Sequence, residues 1–187
     1  MLKNVFAFIA ELVKIVIISL VIIIPIRYFL IQPFYVKGAS MEHNFHDKEY
    51  LIIDEISYRF NDVQRGDIVV FRYPLDPQEY FIKRVIGLPG EAVQIKGGNV
   101  IVYNDANPDG AFVAESYLPN DLKTYGLSED KVSLGADQYF VLGDNRGASK
   151  DSRSFGPVDK SFIIGKVLFR GLPISRAQFF KNPGYSF

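Results

Sequence analysis

The chain has no cysteine. That excludes disulfides, thiolate metal sites and a cysteine nucleophile together. It has no net charge either, since 21 Lys and Arg offset 21 Asp and Glu. A nucleic-acid binder needs a basic surface to neutralise phosphates, so that class of partner is set aside. Histidine is scarce, with only His43 and His46. There is no internal repeat, no low-complexity tract and no strand–helix alternation of the kind that builds a parallel sheet.

What is present begins with a long apolar run. Leu12 to Ile31 is almost free of charge, and as a helix it would span about 30 Å, the thickness of a hydrocarbon core. Lys14 and Arg27 intrude near its ends, where long side chains reach the headgroups. Pro25 is expected to kink the helix near its far end, and Tyr28, Phe29, Phe34 and Tyr35 follow as an interfacial aromatic belt. A cleaved secretory leader would show a similar start, with Val36-Lys37-Gly38 as the cut. Glu11 in the leading region and the aromatic tail after Pro25 favour an uncleaved anchor. Lys3 and Lys14 precede the span while Arg27, Lys37 and Lys48 follow it, so charge alone sets no orientation.

After the anchor the text is strand and turn. Tyr50–Ile53, Ile68–Phe71, Tyr80–Ile86, Tyr139–Leu142 and Phe162–Phe169 read as strands. Ala92–Ile95 and Val100–Tyr103 flank Lys96-Gly97-Gly98-Asn99 as a hairpin, and Asn104–Leu134 reads as polar loops. The expected fold class is therefore mainly β. It has a short tail over 1–11, a transmembrane helix over 12–31, and an antiparallel β-sheet domain over 32–187. A smaller cap or insertion occupies about 97–137. With 187 residues, such a domain can bury a core without metal or disulfide staples.

Three segments could carry chemistry. Lys37-Gly38-Ala39-Ser40-Met41 places a hydroxyl between small residues, about ten residues beyond the apolar run; alone, it reads as a flexible juxtamembrane linker. Lys83 alternates with Phe81 and Val85 on one strand face, while Arg84 shares the other with Ile82 and Ile86. A lysine between apolar neighbours is partly desolvated, which lowers its pKa and lets it serve as a base. A surface lysine with its stem along the sheet has the same pattern. Gly143 to Arg153 is dense in hydrogen-bonding groups after a strand; Asp151 and Arg153 could pair, and Ser149 and Ser152 could orient a neighbour. Its acids do not fall on the alternate positions of a calcium loop. Glu42, His43, His46 and Asp47 could be imagined around a metal, but no helix or strand frames them, and both histidines read as loop residues.

Taken in order, these segments resemble type I signal peptidases, membrane-bound serine proteases with a serine–lysine dyad. Gln32-Pro33-Phe34 leading to Gly38-Ala39-Ser40-Met41 is similar to the family's nucleophile box. Gly66-Asp67-Ile68-Val69-Val70-Phe71 is similar to its next strand, and Ile82-Lys83-Arg84-Val85-Ile86-Gly87-Leu88-Pro89-Gly90 to its lysine box. Phe140-Val141-Leu142-Gly143-Asp144-Asn145-Arg146, continuing to Ser149, Asp151-Ser152-Arg153 and Phe155-Gly156, is similar to its last box.

The resemblance implies Ser40 as nucleophile and Lys83 as general base. Ser149 would orient the amine, and Asp151 and Arg153 would brace the site. It implies backbone oxyanion donors at Ser40 and Gly38, and neither cofactor nor metal. The implied substrates are secretory preproteins cut after small residues at Ala-x-Ala sites. The implied setting is the plasma membrane, with the N-terminus cytoplasmic and the catalytic domain extracytoplasmic. The bilayer is then a partner, and the protein-export translocon another.

Two departures stand out: Glu42-His43-Asn44 replaces the family's usual residue-Pro-Thr, and Gly38 stands where some relatives have a hydroxyl. Self-cleaving repressor-type proteases share the serine–lysine pair but carry DNA-binding domains and no membrane span. The departures leave one non-enzymatic alternative, a membrane-anchored β domain that binds secretory proteins without cutting them.

Overall fold

The structure is a computed structural model, and it describes residues 2–25 and 32–185. The apolar run is helical. Helix α1 spans Leu2–Pro25, and its stretch Val5–Ile24 is long and apolar enough to cross a membrane. The helix thus starts at Leu2 rather than Leu12, because the mixed residues before Leu12 continue the same turn-by-turn bonding. Pro25 closes the described part of this helix, so the kink expected there lies at the edge of the described residues. Arg27, Tyr28 and Phe29 lie outside the described residues.

Among the described residues twelve strands follow in chain order. They are β1 (Gln32–Tyr35), β2 (Tyr50–Asp54), β3 (Ile68–Tyr73) after a single helical turn α2 (Ser57–Phe60), and β4 (Asp76–Gly87). Then come β5 (Ala92–Lys96), β6 (Asn99–Asn104), β7 (Asn107–Phe112), β8 (Val132–Ser133) and β9 (Gln138–Leu142). After the turn α3 (Ser152–Phe155) the chain adds β10 (Val158–Asp159), β11 (Ile163–Leu172) and β12 (Gln178–Phe179). One sheet runs β1-β2-β11-β3-β4-β9-β10, with β12 beside β11; a smaller sheet runs β7-β6-β5-β8. The pairings are antiparallel.

Alternation explains the layers. In β2 the side chains of Leu51 and Ile53 are buried while Tyr50 is exposed. Leu51 and Ile53 join Val36, Met41, Phe45, Ile68, Val70 and Val167 in one core. Strand β4 is buried on both faces from Lys83 onward, so Val85 joins Val69, Phe71, Tyr139 and Val141. Ile86 joins Val93, Val102, Phe140 and Leu142, which seals the small sheet against the large one.

The hairpin between β5 and β6 forms with Lys96 opposite Asn99, so its turn is only Gly97-Gly98. The segment expected as polar loops contains β7 and β8. The small sheet therefore begins at Ala92 and ends at Ser133.

Candidate active site

Ser40 sits in a tight turn that the sequence reading took for a linker. Glu42 N–H donates to Ala39 O (3.1 Å) and Phe45 N–H to Met41 O (2.8 Å). Val36 N–H to Glu49 O (2.8 Å) and Lys48 N–H to Val36 O (2.9 Å) close the loop at its base. Met41 and Phe45 are almost fully buried and pin the turn into the core. The loop after β9 holds the other side. Asn145 N–H donates to Ser40 O (3.0 Å), Asn145 Nδ2 to Ala39 O (3.1 Å), and Asp144 N–H to Met41 Sδ (3.4 Å). These bonds hold the turn without the proline that the family resemblance leads one to expect.

Lys83 reaches this turn from the middle of β4, opposite Val69. It is 3 % exposed. Its Nζ lies 2.7 Å from Ser40 Oγ and donates to Ile82 O at 2.8 Å, with the Phe81 ring centroid 5.2 Å away. Burial lowers its pKa to about 8, against the opposing pull of Asp151 and Asp144. Water solvates an ammonium far better than this pocket does, so the free amine gains.

The same depression bears on stability. The folded pKa lies below the unfolded value, so the folded state binds fewer protons between the two. Lys83 therefore costs stability fully below about 8, and the cost vanishes above about 10.5. The gap corresponds to ~3 kcal/mol. Lys83→Met is accordingly expected to stabilise the fold by ~2 kcal/mol at pH 7, after allowing for lost hydrogen bonds. The gain should vanish between about pH 9 and 10 and turn into a loss of ~1 kcal/mol at higher pH, where only the missing hydrogen bonds count. Denaturant melts of both proteins across that range check it, and a pH-independent difference would contradict it.

Arg84, one residue on, faces the other way and is equally buried, at 4 % exposed. It grips Asp144 through two parallel bonds, Nε to Oδ1 at 2.9 Å and Nη2 to Oδ2 at 2.7 Å. It also donates to Gly66 O and stacks 3.7 Å from the Tyr117 ring centroid. Asn44 Nδ2 donates to the same Asp144 carboxylate at 2.8 Å. A chain of contacts thus runs from the strand carrying Lys83, through Arg84 and Asp144, to the turn carrying Ser40. Sequence reasoning gave Arg84, Asp144 and Asn44 no role. The available signal was Arg84 itself, a cation alternating with Ile82 and Ile86, which must find a counter-charge if that face is buried.

Asp151 and Arg153 form the expected pair. Arg153 Nε and Nη2 each lie 2.8 Å from the two Asp151 oxygens, and the carboxylate is fully buried. Asp151 also accepts from Gly143 N–H at 2.9 Å, so it braces the segment that bonds the Ser40 turn. A Cβ on Gly143 would collide with Ser149 and with the Ser40 carbonyl, which is why glycine stands there. Ser149 is near the turn, but its buried Oγ has no hydrogen-bond partner among the described residues. The structure does not bond it to Lys83.

Gly38 departs from expectation. Its N–H donates to Asp47 Oδ1 at 2.8 Å, so that donor is turned away from an oxyanion. The residue has φ of 93°, a left-handed conformation that explains glycine in place of a hydroxyl residue. The Ser40 N–H makes no hydrogen bond among the described residues. His43 and His46 are exposed on the loop and form no hydrogen bond with Ser40.

Ser40 and Lys83 open into a groove of about 610 Å³, walled by Phe34, Leu51, Val70, Tyr80 and Ile82. Phe34 and Tyr80 meet edge to face across it, at 5.7 Å between centroids. An antiparallel β domain that presents a serine hydroxyl to an extended, mostly apolar groove has the build of a serine endopeptidase.

Comparison with known proteins agrees. The family model described as signal peptidase, peptidase S26, matches residues 9–172, and the chain belongs to that family. A probable signal peptidase I-1 of Synechocystis is 38% identical over 176 residues, covering 90% of this chain and 85% of its own. Signal peptidase IB of Staphylococcus aureus strain MRSA252 is 32% identical over 177 residues, covering 89% and 91%. A crystal structure of a signal peptidase I from Enterococcus faecalis is similar with a TM-score of 0.46 and 29% identity, over 57% of this chain and 97% of that one.

Proposed function

We propose that the protein removes N-terminal signal peptides from secretory preproteins, with Ser40 as nucleophile and Lys83 as general base. The observation that carries this is the 2.7 Å contact between a hydroxyl and a buried amine. Neutral Lys83 takes the Ser40 proton as Oγ bonds to the scissile carbonyl carbon. The Ser40 N–H supports the oxyanion. The C–N bond then breaks as Lys83 returns the proton to the leaving amine. Water attacks the ester and gives its proton to Lys83; the C–O bond then breaks as Lys83 returns that proton to Ser40 Oγ, and the acyl group leaves as a carboxylic acid.

A neutral amine has two N–H groups and one lone pair. The lone pair faces Ser40, and one N–H goes to Ile82 O. Ser149 Oγ, otherwise unpartnered, is our choice for the other, reached by a small movement. The Asp151–Arg153 pair keeps Gly143 close enough for Ser149 and Ser40 to meet.

The exposed apolar helix Val5–Ile24 is suited to anchor the chain in a bilayer. The outer face of the large sheet supports this setting, because Tyr35, Tyr50, Leu172 and Phe179 all lie exposed there. In this reading the N-terminus is cytoplasmic and the catalytic domain is extracytoplasmic. Ser40 stands at the height where a preprotein's cleavage site leaves the lipid.

Aromatic and branched walls around Ser40 favour small substrate side chains. The solubilised full chain is expected to cut a preprotein immediately after an Ala-x-Ala site. Replacing the last alanine with phenylalanine should lower kcat/KM by ~10²-fold. Mass spectrometry of the products checks the cut. No cleavage, or equal cleavage of both substrates, would refute the reading.

A further inference from the structure

Residues 173–185 lie beyond the stretch that the family model matches, yet they are firmly placed. Strand β12 pairs with β11. Phe180 packs on Phe45 with ring centroids 4.5 Å apart. Asn182 Nδ2 donates to Arg65 O at 2.6 Å and to Asp67 Oδ1 at 3.2 Å. This tail closes a second cavity, of about 270 Å³, against the nucleophile turn and β4. Lys83 lines the groove; Arg84, its neighbour on the strand, lines this cavity.

The cavity is cationic. Arg84, Arg170, Arg176 and Lys181 line it together with His43, and no carboxylate does among the described residues. Two carboxylates behind the wall offset part of this charge. Asp144 holds Arg84, while Glu49 holds Arg170 at 3.0 Å and Arg176 at 2.8 Å. Four cations against two anions leave two positive charges over, His43 not counted.

Donors are also left over. Lys181 and His43 make no hydrogen bond or ion pair among the described residues. Arg176 turns Nη1 to Glu49 and Nη2 to Asn44 O at 3.5 Å, and keeps a third of its side chain exposed. Gln178 accepts from Arg170 through Oε1, which leaves its amide N–H groups free. A guanidinium fork, an ammonium and an amide facing one small space are the donor set that recognises a tetrahedral oxyanion.

We propose that this cavity binds a phosphate-class oxyanion, with Arg176 and Lys181 as its charged ligands. The anion bridges the tail to the turn of His43 and Asn44, and so stiffens the support of Ser40. Two sources share this chemistry: a soluble phosphate, and the headgroup of an anionic phospholipid beside an apolar helix.

The test uses the full chain in neutral detergent and reads its melting temperature. Inorganic phosphate is titrated against chloride at equal ionic strength. In a second arm the chain is placed in bilayer discs of phosphatidylcholine, with or without phosphatidylglycerol. Lys181→Gln changes an exposed, unpartnered side chain, and Arg176→Gln is added to it. Stabilisation by phosphate, with an apparent Kd raised ~10-fold by the double variant and less by Lys181→Gln alone, establishes the site with a soluble source. Stabilisation by phosphatidylglycerol only, lost in the same order, establishes it with the lipid source. No stabilisation in either arm, or stabilisation that both variants keep, overturns the proposal. Cleavage is not part of the readout, so this outcome is separate from the peptidase reading.

Discussion

Ser40→Ala and Lys83→Ala are each expected to lower kcat for preprotein cleavage by ~10⁴-fold, with KM nearly unchanged. In the proposed mechanism the two side chains act as one unit, so the double variant should be no worse than either single one. Without the amine, the hydroxyl keeps its proton and is a poor nucleophile. Without the hydroxyl, the amine has nothing to activate. Lys83→Arg should not rescue, because a guanidinium stays protonated at any working pH.

The pH profile follows from the same burial. Only the free amine accepts the Ser40 proton, and the Lys83 pKa is lowered to about 8. The rate should rise through pH 8 and level off above it. Initial rates on a single preprotein from pH 6 to 10 measure this. A rise confined to the region near 10.5, or undiminished turnover by Lys83→Ala, would remove Lys83 from the mechanism.

Local pattern revealed the parts that depend on neighbours in the chain. The N-terminal apolar helix was legible from one apolar run. The β5–β6 hairpin was legible from Gly97-Gly98 between alternating residues. Strand β7 was not, because Asn107-Pro108-Asp109-Gly110 has turn chemistry; it is held as a strand by pairing with β6 at a sheet edge. Strand β4 begins at Asp76, inside a polar stretch, for a similar reason: its first residue is paired with Tyr73 across a tight connection.

The site divides the same way. Lys83 between Phe81 and Val85 announces desolvation, but nothing local says that Ser40 is its neighbour, 43 residues away. Only the order of the boxes linked them. Asp144 lies 60 residues from Arg84, and Asn44 lies 100 from Asp144, so no spacing rule could join that chain of contacts. The turn after Ser40 lacks the proline usual in the family. The turn is instead fastened from outside, by Asn145 and Asp144, which sequence alone cannot show.

Asp144→Ala is expected to cost ~3–5 kcal/mol of stability, because it leaves the Arg84 guanidinium buried without a counter-charge. That is a large part of the ~5–15 kcal/mol by which a domain of this size is stable. Asp144 is wholly buried and Arg84 nearly so, so water cannot solvate the abandoned charge. The adjacent residue carries the opposite sign of effect: Lys83→Met should stabilise while abolishing turnover.

Arg84→Met with Asp144→Leu separates the two roles of the ion pair. Two apolar groups of similar volume remove both charges, so most of the lost melting temperature should return. Turnover should not return, since Asn44 would lose its carboxylate and the turn bearing Ser40 its tie to the strand bearing Lys83. A fall in kcat of ~10²-fold with a near-normal melt is therefore expected, in line with the sensitivity of proton transfer to small displacements. Full activity in the apolar pair would mean that the ion pair only fills space. An unchanged melt in Asp144→Ala would mean that Arg84 finds solvent by a route the packing does not offer.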